Sequence, residues 1–517
     1  MSRLHASLSP AELRIALLVF ALLSLFVFAV QPKSAGFTPD FQDFVSSHTL
    51  AIASHAEAST GFVGYSLRTE DDTGKIEHEY FDRCPIFFSV VMNLILKAAG
   101  PSPGEKLYLA RQAMNAIFLA TVAVAFLIVR RLTGDGYVAG AVALVTLSGS
   151  QLLFFKNMIH FDQPALLGLL VLLFAILMRE EGGSRRLLYG CALFAVSFGR
   201  GYVSLLFVGF WTAIEYAIAL RKNWPKPFAA ALLCSKCDAA RVLALTAAVS
   251  SFYVIYNVAT EARIRGVSWS HTSVVESADR RMGFARQKTG PNLTWKQYTA
   301  ATAARIVRLA LPYPAFKYLS EDGAVARLHA ALPVAAALLL LFAVLIAYVS
   351  GLPPHTRRFC LLLIASGLPW FIAMRRHAGS FNYATIYFAG ATLMFYTALF
   401  SRIPAKLRSS ALVVAAMVFI ASVLSANADR SALAVDEPYT ADFATIVSRL
   451  RPDDRIYVAG DYRNVVYSHD YALGFFLTQQ IIAAAQRADY TLSEDPHFAP
   501  GNLTADNRAV FLFATKP

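Results

Sequence analysis

The stretch Phe154–Glu180, FFKNMIHFDQPALLGLLVLLFAILMRE, decides the class of this chain. From Pro164 to Met178 it is apolar without a break, and it stops at the charged pair Arg179-Glu180. Ahead of that run Lys156, His160 and Asp162 crowd together, and Pro164 sits where a helix would begin. Proline suits a first helical turn because its missing N–H would have no intrahelical partner there. Asp162 admits two readings. It is a helix cap whose carboxylate favours the positive end of the helix dipole, or it is a functional acid at the mouth of a membrane span.

Working outward, the same apolar pattern recurs. Of 517 residues, 56% are hydrophobic and only 16% are charged, and the mean hydropathy is +0.48. Soluble domains carry about 25% charged residues. The pattern predicts an all-α polytopic membrane protein with about 11 spans, since a ~30 Å hydrocarbon core takes roughly 20 residues of helix. The expected spans are Leu13–Val30, Leu107–Val129, Tyr137–Phe155, Pro164–Met178, Leu187–Phe198, Tyr202–Leu220, Val242–Val258, Ala330–Val349, Phe359–Ala373, Phe381–Phe400 and Ser409–Ala426. The run Pro85–Gly100 is short and reads as an interfacial helix. Leu13–Val30 lacks a small-residue cleavage site and reads as a retained first span.

Basic residues orient the chain. With the N-terminus in the cytoplasm, the five short inner connections hold fifteen Lys/Arg, against four in the short outer ones. Counting Pro85–Gly100 as a span would invert that bias, and short-loop bias sets orientation. The net charge of +13 therefore reports topology. No nucleic-acid-binding signature accompanies it, so no nucleic-acid partner is expected.

Three long segments then face outward. They are a first loop within 31–106, a second within 259–329, and a C-terminal segment 427–517 following a membrane domain over 1–426. In the last, DRIYVAGD, ADYTLSE and RAVFLFATKP read as strands and YALGFFLTQQIIAAAQ as a helix, which predicts a small α+β extracytoplasmic domain. The five cysteines include a lone CxxC, Cys234 to Cys237, which without a second pair is weak evidence for a zinc or redox site. There is no P-loop, dinucleotide turn or paired-histidine metal motif, so no metal ligand set can be named.

Acids sit at the outer helix mouths. Asp40 and Asp43 lie in TPDFQDF after the first span; Tyr80, Asp82 and Arg83 lie in YFDRCP ahead of the interfacial run; His160 and Asp162 lie in HFDQP. This ordered set, with MRRHAGSFNYATIYF at a late span, resembles the lipid-linked-sugar glycosyltransferases of the GT-C superfamily. Its branch of protein O-mannosyltransferases and aminoarabinose lipid A transferases is the nearest in pattern. The first three motifs fall between Leu13 and about Leu220, and the late-span stretch is a further likeness at Met374–Phe388. They depart from the family in that Asp40 is followed by Phe41 rather than Glu, and Arg83 stands in place of a lysine, with Cys84 inserted before the proline.

The resemblance implies a GT-C fold in a bacterial inner membrane and an active site on the periplasmic face. It implies an inverting transfer of sugar from an undecaprenyl-phosphate-type donor to a lipid, glycan or protein, within a setting of membrane lipids. Asp40 or Asp43 would be the general base, with Asp162 orienting or assisting. Arg83, Lys156, Arg375, Arg376 and His377 are the candidate donor-phosphate ligands, and Tyr80, Asp82 and His160 would line the substrate cavity. The family's lipid-phosphate branch suggests that a metal is dispensable. Arg200, in SFGRGYV between two spans, receives no role. The competing classes are a lipid or glycan transporter and a membrane scaffold.

Overall fold

The structure is a computed structural model that describes residues 10–31, 41–70, 76–80, 85–100, 103–149, 152–153, 156–223, 237–275, 306, 309–313, 345, 347–374, 382–435, 455–459, 480–482, 490–493 and 509–512. The main helices are α1 (Pro10–Ala29), α2 (Phe41–Ser54), α3 (Ile86–Ala98), α4 (Pro103–Thr133), α5 (Gly136–Leu147), α6 (Asp162–Glu180), α7 (Arg185–Ser197), α8 (Tyr202–Lys222) and α9 (Asp238–Arg265). They are followed by α10 (Pro354–Ile364), α11 (Leu368–Ala373), α12 (Ala389–Phe400) and α13 (Arg408–Val435). Among the described residues six stretches, Glu105–Thr133, Asp162–Glu180, Tyr202–Lys222, Asp238–Arg265, Thr356–Ala373 and Ala405–Asp429, are long and apolar enough to cross a membrane.

The ends of these helices sort into two faces. At one, ion pairs tie together the segments rich in Lys and Arg: Arg131 to Glu181 at 3.2 Å, Arg179 and Arg185 to Asp238 at 2.6 and 2.9 Å, and Arg408 to Asp135 at 2.7 Å. Arg358 meets Glu215 nearby in the same bundle. Such pairs contribute little stability where solvent reaches them, but they show which helix ends are neighbours. At the opposite ends, Asn427 Nδ2 donates to Val30 O at 2.9 Å and Gln112 Nε2 to Phe28 O at 3.2 Å. Ile159 N donates to Ser46 Oγ at 3.1 Å, which seats α2 on the loop before α6.

Side chains between the helices form one large apolar core, in which Phe118 of α4 stacks on Phe419 of α13. Leu25, Phe252, Ile255, Val413 and Met417 are more than half exposed. That is unfavourable in water and ordinary for a helix face that meets lipid tails.

Several expected spans are shorter or broken. The helix within Tyr137–Phe155 is α5, which has 12 residues and so rises only ~18 Å. It ends because Ser148 O accepts from Tyr313 N at 3.0 Å and Gly149 bridges to Pro312. The helix within Leu187–Phe198 is α7, with 13 residues. Phe359–Ala373 is split into α10 and α11 by a 3-10 turn, and the described part of Phe381–Phe400 opens as a 3-10 run, Asn382–Phe388, before α12. Non-helical backbone at this depth must be bonded within the protein, and Ser366 Oγ donates to Tyr387 O at 3.2 Å. Most of Ala330–Val349 lies outside the described residues. The run Pro85–Gly100 forms α3, with 13 residues, too short to span. Asn93 Nδ2 bonds Ala53 O at 2.7 Å and fastens it to α2.

A six-stranded sheet joins two distant parts of the chain. Its strands are β1 (Tyr65–Glu70), β2 (Ile76–Tyr80), β3 (Arg455–Ala459), β4 (Gln480–Ile482), β5 (Tyr490–Ser493) and β6 (Ala509–Leu512), in the order β2-β1-β4-β3-β5-β6. The β1–β2 hairpin is antiparallel and every other pairing is parallel. Three of the C-terminal strands fall where the alternation places them. The fourth is a correction: residues 480–482, expected within a helix, are β4. A short apolar run such as QII fits either period, and pairing on both sides decides for strand. Residues 471–479 of that expected helix lie outside the described residues.

Candidate active site

The loop leading into α6 concentrates polar side chains where solvent does not reach. Within KNMIHFDQ, Lys156 is 1% exposed, His160 6%, and Asn157, Asp162 and Gln163 are each 0%. Lys156 Nζ donates to Asn157 Oδ1 at 3.1 Å. Burying an ion without partners is prohibitive, so the partners of Asp162 define the site.

Both carboxylate oxygens of Asp162 are engaged. Arg200 Nη2 donates to Oδ2 at 3.1 Å, and Arg200 Nε stands 3.1 Å from Oδ1. His160 Nδ1 abuts Oδ2, and the Tyr387 hydroxyl donates to Oδ1. Arg200 Nη2 also reaches His160 Nε2 at 3.2 Å. A guanidinium can only donate, so Nε2 carries the lone pair and Nδ1 carries the hydrogen that faces Asp162. Two hydrogen bonds, from Arg200 Nη2 to Oδ2 and from the Tyr387 hydroxyl to Oδ1, engage Asp162, and Arg200 Nε and His160 Nδ1 stand within ion-pair distance of it.

Local backbone chemistry brings Arg200 there. α7 runs out at SFGRGYV, where Gly199 has φ +81°, a conformation that side chains with a Cβ rarely adopt. A Cβ on Gly199 would stand 2.5 Å from Phe161 O and 2.6 Å from Ala165 N. Only glycine lets this turn press against the start of α6, and Arg200 follows it directly. Trp370 of α11 covers the guanidinium, with its ring centroid 5.8 Å from Arg200 Cζ. Tyr202 stacks on Trp370 at 5.7 Å and Tyr387 meets it edge-on at 5.5 Å. The break between α10 and α11 thus delivers Trp370, and the 3-10 run delivers Tyr387. Gly390 keeps these two segments in contact, since a Cβ there would lie 2.3 Å from Leu363 O.

The hairpin forms a second polar cluster. His55 stacks face to face on Tyr65 at 4.0 Å and bonds its carbonyl through Nδ1 at 2.9 Å. Burial holds the His55 pKa below its ordinary value of 6.5. Tyr80, 5% exposed, packs 5.8 Å from Tyr65, and its carbonyl accepts from Ser273 Oγ at 3.1 Å. Burial raises the Tyr80 pKa above 10.0. Glu261, near the end of α9, takes Arg265 at 2.5 Å and Ser273 N at 3.0 Å.

Of the residues singled out in the sequence, Asp162 and His160 meet directly, and Lys156 is buried in the same loop. Tyr80 anchors the hairpin. Asp43 lies on α2, one turn before the Ser46 that holds this loop. Asp40, Asp82, Arg83, Arg375, Arg376 and His377 lie outside the described residues. Sequence reasoning left Arg200, Tyr387, Trp370 and Tyr202 without roles. The flanking glycines and an arginine between two spans were the available signal for the first; Tyr202 and Tyr387 lie within the quoted stretches SFGRGYV and MRRHAGSFNYATIYF but received no role there, and nothing marked Trp370. Among the described residues no three His, Cys, Asp or Glu side chains converge as a metal site.

No protein-family model matches this sequence, and no curated protein matches it. Solved structures do. The crystal structure of ArnT from Cupriavidus metallidurans bound to undecaprenyl phosphate is similar with a TM-score of 0.53, at 12% identity, over 92% of this chain and 85% of that one. The apo Archaeoglobus fulgidus oligosaccharyltransferase gives 0.45 at 11% identity, over 91% of this chain and 64% of that one. The arabinosyltransferase EmbB from Mycobacterium smegmatis gives 0.33 at 14% identity, over 82% and 42%. At these identities the likeness is one of fold, and the ArnT match carries it. The chain has the fold of the GT-C membrane glycosyltransferases.

Proposed function

We propose that this chain transfers a sugar from a polyprenyl-phosphate carrier to a lipid, glycan or protein acceptor at the outer face of a bacterial inner membrane. The observation that carries the reading is the buried Asp162–Arg200 pair, ringed by His160 and Tyr387, within a fold shared with a protein whose structure holds undecaprenyl phosphate. The cluster lies at the helix ends opposite the basic inner segments, and the fifteen-to-four charge bias puts those ends outside.

The chemistry follows from the groups. An acceptor oxygen attacks the anomeric carbon as the bond from that carbon to the phosphate oxygen breaks. The electron pair leaves with the polyprenyl phosphate, whose charge nearby cations stabilise. Lys156, buried in the site loop, takes that role in this reading, with Arg83, Arg375, Arg376 and His377 as the further cations that the resemblance names. The acceptor proton passes to a carboxylate. Asp162 is a poor base because Arg200 and Tyr387 already engage both of its oxygens, so it acts as an organiser that holds Arg200, His160 and Tyr387 in register. The base is then Asp40 or Asp43, the acids that follow the first span in the sequence. A single displacement of this kind inverts the anomeric centre.

The test is mass spectrometry of envelope lipids and glycans from a strain lacking the chain. A missing hexose, pentose or aminosugar increment, restored by the wild type and not by Asp162→Asn, is the expected result. An unchanged envelope would sink the proposal.

A further inference from the structure

Two side chains of the KNMIHFDQ loop are buried with hydrogen-bonding capacity that the protein does not use. Asn157 spends its Oδ1 on Lys156. Its Nδ2, and both Nε2 and Oε1 of Gln163, have no hydrogen-bond partner among the described residues. Both residues are 0% exposed. Buried amides are almost always paired, and an orphaned one bears its full desolvation cost. Asn157 is fastened to Lys156 in the loop and Gln163 lies in the first turn of α6, so both belong to the segment that carries Asp162.

Their chemistry differs from that of their neighbours. Lys156 and Arg200 are cations that can only donate and so suit a phosphate, which only accepts. A primary amide is neutral and offers two donors with one acceptor oxygen. Sugar hydroxyls both donate and accept, and they carry no charge for a cation to address. From this juxtaposition we infer that Asn157 and Gln163 read the hydroxyls of the sugar being transferred. They are specificity determinants that discriminate among donors sharing one lipid phosphate. The inference rests on the lipid-linked donor proposed above.

It is tested with the full-length chain in detergent by measuring Kd for undecaprenyl phosphate itself and for its mannose, glucose, galactose, arabinose and 4-amino-4-deoxyarabinose esters. The variants are Gln163→Met and Asn157→Leu, which keep side-chain volume and remove the amide. The wild type should bind one ester more tightly than the bare lipid phosphate by about tenfold or more, the worth of one good hydrogen bond. Gln163→Met should lose that margin while binding the bare lipid phosphate as the wild type does, and Asn157→Leu, which also releases Lys156, should lose the margin measured against its own Kd for the bare lipid phosphate. The inference is overturned if the variants keep the margin, if the wild type shows none, or if both variants lose bare-lipid binding together with thermal stability, which would make the amides structural. A wild type that binds no undecaprenyl phosphate at all would overturn the donor reading beneath it.

Discussion

Replacing Arg200 with methionine leaves the Asp162 carboxylate buried without its main counter-charge. Asp162 is 0% exposed and Arg200 is 2% exposed, with contacts at 3.1 Å to each carboxylate oxygen. Removing one partner of such a pair costs about 3–5 kcal/mol, chiefly because the other charge stays behind. Tyr387 still donates to Asp162 and His160 stays beside it, so the lower end, about 3 kcal/mol, is expected. Converting Asp162 to asparagine in the same chain removes the stranded charge. The double variant Asp162→Asn/Arg200→Met should therefore be more stable than Arg200→Met alone, with a coupling of about 1–3 kcal/mol, as residues in one network show. The assay compares thermal unfolding midpoints of all four proteins in one detergent, with transfer activity read in parallel. Activity should be lost in every variant, while stability recovers only in the double. An Arg200→Met protein as stable as the wild type, or a double variant that merely adds the two single losses, would refute the account of Asp162 as a charge-saturated organiser.

Further outcomes follow from the same geometry. Gly199→Ala should destabilise the chain by about 1–3 kcal/mol, the usual cost of a strained backbone position, and should abolish transfer by pushing Arg200 off Asp162; a variant with wild-type midpoint and activity contradicts the close approach. Asp40→Asn and Asp43→Asn separate the two candidate bases. One should lower turnover by about a hundredfold or more with its melting point intact, and equal, mild effects from both would remove the first-loop acid from the mechanism. His55 has a depressed folded pKa, so the unfolded chain takes up that proton first as pH falls. Stability linked to this ring is level above pH 6.5 and declines below it. Melting points measured between pH 7 and pH 5 should fall less steeply for His55→Phe than for the wild type, and parallel curves would exclude the linkage.

Much of this protein is determined by its sequence alone. Apolar runs of helical length admit only one solvent, and the basic residues of short connections sort helix ends into two faces. The ion pairs from Arg131, Arg179, Arg185 and Arg408 join the very segments whose charge marked them as one side. Asp162 was visible because a carboxylate beside a proline at a span mouth stands out against hydrocarbon. Its partners were not visible. Arg200 lies 38 residues away and Tyr387 lies 225 away, and no periodicity encodes which helix ends will touch. The same holds for residues 480–482, whose three side chains suit a helix or a strand until β1 and β3 close around them. Hydropathy is a property of each residue in its solvent and can be read one position at a time. Which donor reaches a buried carboxylate depends on how α6, α7 and the broken helices α10–α12 pack, and only the folded chain brings those groups together.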